Sequence, residues 1–370
     1  MVYINSYTLI QKRNGGITEM RNLYQKIDKL LNELKWNEIW EGFHRYPYDL
    51  YNEETVWLES EEIPYNDKFL GNTSIVWNGS YLAIWYVNLN EKEDAEELAA
   101  GIVHEMFHAF QQETGEMRYP NNLEILDYPL NAGNFTIKYM ENILLAKAYM
   151  SNKMQQKLKL LSQFAFLRKE RENLYGNAIY NEYLTETLEG MAEYAGLSAL
   201  KQISEDKFKI KINYYINCLK DKSVALFDIR KISYYSGAIL MLTLFNSDFN
   251  VLHIIGKTEE TVFQLFVRNI EIKAVEFRPN DTIQKLINQH LETVKMKFKE
   301  FFLIPREKVI LKGYICGYDP MNMIKYGQQL LCSRFIIIFD EDTQKSLHIK
   351  GPIVVELKED TNWIPYCYYI

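Results

Sequence analysis

Glu97-Leu98-Ala99-Ala100-Gly101-Ile102-Val103-His104-Glu105-Met106-Phe107-His108-Ala109-Phe110 is the stretch on which the reading of this chain turns. Leu98, Ile102, Met106 and Phe110 recur every fourth residue, which lines one face of a helix. Acids crowd the start of the segment, where the helix dipole favours them, and Gly115 sits where a helix would stop. A helix is therefore expected from about Glu93 to Glu113. On it His104 and His108 share a face, so both imidazoles can reach one metal ion at about 2.0–2.1 Å. Glu105 projects at an angle to both and reaches a water on the metal without occupying the metal. Zinc lowers the pKa of such a water, and the carboxylate can take its proton as it attacks a peptide carbonyl. The competing reading is a buried helix carrying two hydrogen-bonded histidines. Ala100 and Gly101, one turn earlier, are small enough to let substrate or another chain approach.

Hydrolysis at zinc needs a third protein ligand and an open fourth position. The next histidine after His108 is His253, and no HxxGxxH follows, so the ligand set of the metzincins does not fit. A carboxylate on a second helix is the alternative, and Glu189-Gly190-Met191-Ala192-Glu193-Tyr194 offers one. Glu189 and Glu193 are four apart and share a face. The first can bind zinc; the second can accept a hydrogen bond from a ligand imidazole and fix its tautomer. Gly190 and Ala192 would let this helix pack closely on the first. Glu182 and Glu186 lie on the same face. Glu182 reads as part of a solvated stripe, and Glu186 competes with Glu189 for the metal. One Zn2+ per chain is expected.

HExxH followed by an EGxAEY helix resembles the gluzincin metallopeptidases, the group that includes thermolysin-like and aminopeptidase N-like enzymes. In the aminopeptidase N-like pattern the glutamate before Gly is the third zinc ligand, which the resemblance places on Glu189. In the thermolysin-like pattern the acid four residues later supports a ligand, which it places on Glu193. Ser233-Tyr234-Tyr235-Ser236-Gly237-Ala238-Ile239-Leu240-Met241-Leu242 is similar to the YxKGAxVLxML segment of the aminopeptidase N-like family. Aligned on Gly-Ala, its oxyanion-stabilising tyrosine falls on Tyr234, with Tyr235 as the neighbouring alternative. The resemblance covers roughly Glu93 to Phe245. It departs from the pattern in the 81 positions between His108 and Glu189. An upstream GxMEN is also missing, Glu141-Asn142 lying downstream, and Ser236 stands in place of Lys. It thus implies a zinc-dependent peptidase, and exopeptidase action does not carry over.

Outward from this centre, Ile17 to Trp40 has helical spacing, and Tyr46-Pro47-Tyr48 breaks it. Thr73 to Trp77 and Tyr81 to Val87 read as strands joined by an Asn78-Gly79 turn. The second is either an edge strand able to pair with an extended substrate or an internal strand. Helical patterns follow near Phe135 to Met150, Gln155 to Leu174, Ile179 to Gln202, Ser236 to Phe245, Glu259 to Asn269 and Thr282 to Phe302. The stretch Thr114 to Ile179 is expected to add helices around the cleft. After Pro305, Val309 to Ile315, Leu331 to Phe339, Ser346 to Ile349 and Ile353 to Leu357 are β-branched or aromatic runs. The expected fold is α+β and predominantly helical. A zincin-like domain would span 1–303 (an α/β lobe to about 92, then the helical catalytic part), with a small β-rich unit at 304–370.

Lysine and arginine total 42 against 49 acids, a net charge of −7 with no basic stripe, so no nucleic-acid partner is expected. No apolar run approaches a membrane span, and the first residues lack the pattern of a signal peptide. Cys218, Cys316, Cys332 and Cys367 are scattered without a CxxC pair and read as reduced thiols in a cytoplasmic protein. His44, His253, His290 and His348 have no partner spacing, and there is no phosphate loop or GxSxG elbow. The expected function is zinc-dependent hydrolysis of a peptide or protein substrate. The alternatives are an inactive peptide-binding or regulatory protein of the same fold and a zinc hydrolase of a non-peptide amide or ester.

Overall fold

The computed structural model describes residues 6–59, 61–247, 249, 255–278, 281–359 and 363–370. Helix makes up about 52% and strand about 18%, an α+β chain dominated by helices. The helices begin with α1 (Ser6–Asn32), α2 (Trp36–Ile39), α3 (Ala95–Glu113), α4 (Ala132–Met150) and α5 (Met154–Tyr175). They continue with α6 (Asn177–Ile203), α7 (Glu205–Lys220), α8 (Ile229–Phe245), α9 (Val262–Val267) and α10 (Asp281–Phe301). Strands β1 (Tyr48–Tyr51), β2 (Thr55–Trp57), β3 (Glu62–Pro64), β4 (Thr73–Trp77) and β5 (Ser80–Tyr86) precede α3. After α10 come β6 (Lys308–Ile310), β7 (Gly313–Tyr318), β8 (Met323–Tyr326) and β9 (Gln329–Cys332). The last four are β10 (Phe335–Asp340), β11 (Lys345–Lys350), β12 (Ile353–Leu357) and β13 (Pro365–Tyr369). No helix among the described residues is long and apolar enough to cross a membrane, and the four cysteines are free thiols.

Two compact units result, and their division is not the expected one at 303/304. The first comprises Met1–Arg118, Thr187–Ile216 and Gly237–Phe266; the second comprises Tyr119–Glu186, Asn217–Ser236 and Val267–Ile370. The C-terminal strands thus group with α4, α5 and α10 instead of forming a unit of their own.

The first unit is built on a five-stranded sheet of order β3-β2-β1-β5-β4, with β1 and β5 parallel and the other pairs antiparallel. Asn78 and Gly79 take φ of 49° and 83°, the left-handed pair that a two-residue hairpin needs, and they set the β4–β5 register at Trp77 opposite Ser80. Tyr81 to Val87 is therefore an internal strand, and the edge on that side is β4. Helix α3 packs on β5, β4 and α1. At Gly101 an added Cβ would lie 2.4 Å from the Trp85 ring, so this glycine seats α3 on β5 and does not open a path to substrate.

Strand β1 carries a buried acid. Asp49 is 4% exposed, and its Oδ2 has no hydrogen-bond partner. Burial, reinforced by the charge of Glu59, pushes its carboxyl up to about 7. From about pH 4, where Asp in an unfolded chain ionises, up to about pH 7, the folded state keeps a proton that the unfolded state has released. This group therefore makes stability fall as pH rises through that window and leaves it level above, a loss of about 4 kcal/mol at most. Asp49→Asn is expected to remove the loss and to be more stable than the parent at pH 8, with little difference near pH 4. Urea denaturation at the two pH values checks this, and parallel profiles for the two proteins would contradict it.

In the second unit α4 and α5 pack side by side, and α10 lies against α4. Strands β11-β10-β7 form one sheet and β6-β13-β12-β9-β8 another. Ile336, Ile338 and Ile349 from the first share one core with Leu330, Cys332, Ile353 and Val355 from the second. The expected runs Val309 to Ile315 and Leu331 to Phe339 each divide between the two sheets. Lys312-Gly313 interrupts the first run and Ser333-Arg334 the second, and at these breaks the chain changes sheet.

Six charged side chains are buried between α4, α5 and α6. Lys138 and Arg171 contact Glu182, Arg168 grips both oxygens of Glu186, and Glu141 lies 3.3 Å from Arg168 and 3.2 Å from Arg171. Tyr128 donates to Glu182, and Ser236 donates to Glu186. Glu182 is fully buried, so the solvated stripe expected there is a buried ionic cluster instead. Burial alone would raise the Glu182 carboxyl, but Arg171 and Lys138 outweigh it and hold the group well below its ordinary value.

Candidate metal centre

Helix α3 starts where Asp94 accepts from the backbone N–H groups of Glu96 and Glu97, a cap that satisfies two of its orphan donors. Lys207 bridges Asp94 and Glu96 from α7. Leu98, Ile102, Met106 and Phe110 are buried, which orients the face bearing His104 and His108. Helix α6 approaches this face at Gly196, where a Cβ would lie 2.8 Å from the Ala100 carbonyl oxygen and 3.5 Å from His104 Cβ. Gly190 instead meets α8, 2.6 Å from Gly237 Cα on the same measure. The expectation that Gly190 seats α6 on α3 is corrected: Gly196 does so, two residues beyond the end of the motif at Tyr194.

The close approach brings Glu189 to the two histidines. His108 Nε2 lies 3.1 Å from His104 Nε2 and 3.1 Å from Glu189 Oε2, and His104 Nε2 lies 3.6 Å from that oxygen. Among the described residues this is the one group of three His, Cys, Asp or Glu side chains whose ligand atoms come so close. His104 and Glu189 are buried, 7% and 5% exposed, and His108 is partly exposed.

The outer hydrogen bonds fix what these atoms present. Glu193 Oε2 is 3.0 Å from His104 Nδ1, and Tyr215 donates to Glu193 Oε1. An ionised carboxylate only accepts, so His104 carries its proton on Nδ1. Burial pushes the Glu193 carboxyl up, but the hydrogen bonds from His104 and Tyr215 outweigh it and hold it below its ordinary value. On the other ring, Gln111 Oε1 lies 2.7 Å from His108 Nδ1. With both Nδ1 atoms donating, the two Nε2 atoms are the ring nitrogens left to face Glu189 Oε2, and each offers a lone pair there once its ring is neutral. Three side chains converging on one point in this way could hold a metal ion. Ligand atoms about 2.0–2.1 Å from a tetrahedral zinc stand about 3.3 Å apart, and the separations here match that spacing. The residues fit zinc in donor chemistry and in spacing.

Glu105 is buried beside the cluster and is not one of the three converging groups; burial raises its carboxyl. Glu186, the competitor for the metal, has its carboxylate held by Arg168 and Ser236 in the ionic cluster of the second unit. Tyr234 also belongs to the second unit, where its hydroxyl accepts from Arg230 at 3.3 Å. Tyr235 is 8% exposed. His44, His290 and His348 take no part in the cluster, and His253 lies outside the described residues. Gln111 and Tyr215 were not anticipated. Gln111 follows His108 by three residues, a same-face spacing that marks it as a neighbour. Tyr215 sits on α7, whose buried Phe208, Ile212, Tyr215, Ile216 and Leu219 carry a helical period. No protein-family model, no curated protein and no solved structure matches the chain.

Proposed function

We propose that the chain is a zinc-dependent peptidase of the gluzincin kind, in a zincin-like fold, with His104, His108 and Glu189 as metal ligands. The observation that carries the proposal is the convergence of their three acceptor atoms within 3.1–3.6 Å, with each imidazole held from behind at Nδ1. Zinc bound there supplies a Lewis acid that polarises the scissile carbonyl and acidifies a water. Glu105 takes the water's proton and delivers it to the leaving amine; its raised carboxyl suits a group that must both accept and return a proton. Glu193, held by Tyr215, keeps His104 oriented. The resemblance of the Tyr234 segment alone names this tyrosine as oxyanion donor; Arg230 donates to its hydroxyl. The substrate backbone pairs with the open side of β4, because β4 is the sheet edge next to the strand that leads into α3.

The test is hydrolysis of a mixed-sequence peptide library beside a panel of small amides and esters, by zinc-loaded protein. Peptide cleavage that stops with a chelator and returns with zinc is expected. Cleavage confined to the small amides and esters would move the substrate class, and no hydrolysis of either would remove the enzyme reading.

A further inference from the structure

His108 needs a device that aims it, because an imidazole on a helix is free to flip and to exchange tautomers. Glu193 performs that task for His104 with a carboxylate, which can only accept. The partner of His108 is Gln111, a neutral amide with an acceptor at one end and a donor at the other, so its orientation must itself be decided. The Leu188 carbonyl oxygen decides it. Gln111 is 1% exposed, and its Nε2 donates to that oxygen at 2.9 Å. A carbonyl cannot donate, so the NH2 end faces Leu188 and the oxygen end faces His108 Nδ1 at 2.7 Å. The ring must then carry a proton on Nδ1, which leaves Nε2 as the nitrogen that faces Glu189 Oε2 at 3.1 Å and is free to bind a metal. Leu188 precedes Glu189 on α6, so one amide ties the second imidazole to the backbone of the helix that bears the carboxylate.

We propose that Gln111 is the positioning residue for His108, fixing its tautomer and joining α3 to α6 at the ligand pair His108 and Glu189. The proposal rests on the zinc reading for its consequence and on the hydrogen bonds alone for its geometry, and the test separates the two. Zinc affinity of the full chain is measured by competition with a chromophoric chelator for the parent, Gln111→Met and Gln111→Glu. The His108 tautomer is read by nitrogen NMR on the metal-free proteins. Gln111→Met removes donor and acceptor at similar volume and is expected to bind zinc about 10–100-fold more weakly, with His108 no longer held as the Nδ1–H form. Gln111→Glu keeps an acceptor and is expected to retain that form and most of the affinity, a rescue that a packing role would not give. Unchanged affinity and an unchanged tautomer in Gln111→Met would overturn the proposal. A parent that takes up no zinc overturns the functional reading, while the tautomer comparison still decides on Gln111. If Gln111→Met does not fold, Gln111→Glu decides: loss of the Nδ1–H form there overturns the proposal.

Discussion

Glu105→Gln is expected to keep one zinc per chain and to lose turnover by about 10²–10⁴-fold, the usual contribution of a positioned general base. The two halves of that expectation come from different observations. Zinc stays because the converging atoms belong to His104, His108 and Glu189, and the Glu105 carboxylate is not among them. Turnover falls because the amide cannot take a proton, while its size and burial match the carboxylate it replaces. Burial raises the Glu105 carboxyl, so the parent already holds this group against its desolvation cost, and the amide relieves that cost. The variant is thus expected to be no less stable than the parent, which makes the loss of activity a statement about chemistry. Comparing kcat, metal content and thermal midpoint in one preparation checks it. Full activity in Glu105→Gln would sink the proposed base, and loss of zinc would make the residue a ligand instead.

Arg168→Met is expected to cost about 3–5 kcal/mol of stability, because it leaves buried charge without its partner. Arg168 is fully buried, holds both oxygens of Glu186 and lies 3.3 Å from Glu141. The cluster has three cations, Lys138, Arg168 and Arg171, against three acids, Glu141, Glu182 and Glu186. Removing one cation leaves an uncompensated negative charge in a region that water does not reach. Arg168→Met combined with Glu186→Met restores the balance and is expected to be destabilised less than the single variant, since well-packed apolar residues can replace a buried pair at little cost. Denaturant unfolding of both variants tests this. A single variant within about 1 kcal/mol of the parent would show that the cluster is hydrated and its charges independent.

Helix α3 was legible because its determinants are local: acids at the start, an apolar face every fourth residue and Gly115 beyond the end. The histidine pair and Glu189 were legible for the same reason, since each is a spacing on one helix. Where structure depends on distant partners, the sequence was ambiguous. Strand β1 shows no alternation, because all four of its residues are buried and one of them is Asp49. Four acids at Glu182, Glu186, Glu189 and Glu193 have one helical spacing but two environments. Lys138, Arg168 and Arg171 receive the first two, while His104 and His108 face the last two, and nothing within α6 distinguishes these cases. Gly196 and Gly190 show the same limit: each is a small residue that allows a close approach, and only the tertiary structure says which helix approaches.

The most direct measurement is the zinc content of the purified chain beside Glu189→Ala, at matched folding. The convergence of His104 Nε2, His108 Nε2 and Glu189 Oε2 predicts one zinc per chain in the parent and its loss, or much weakened retention, in the variant. Zinc held equally by both would remove Glu189 from the ligand set. A parent that binds none, even when the metal is supplied, would contradict the metal centre and leave His104 and His108 as two hydrogen-bonded histidines on a packed helix.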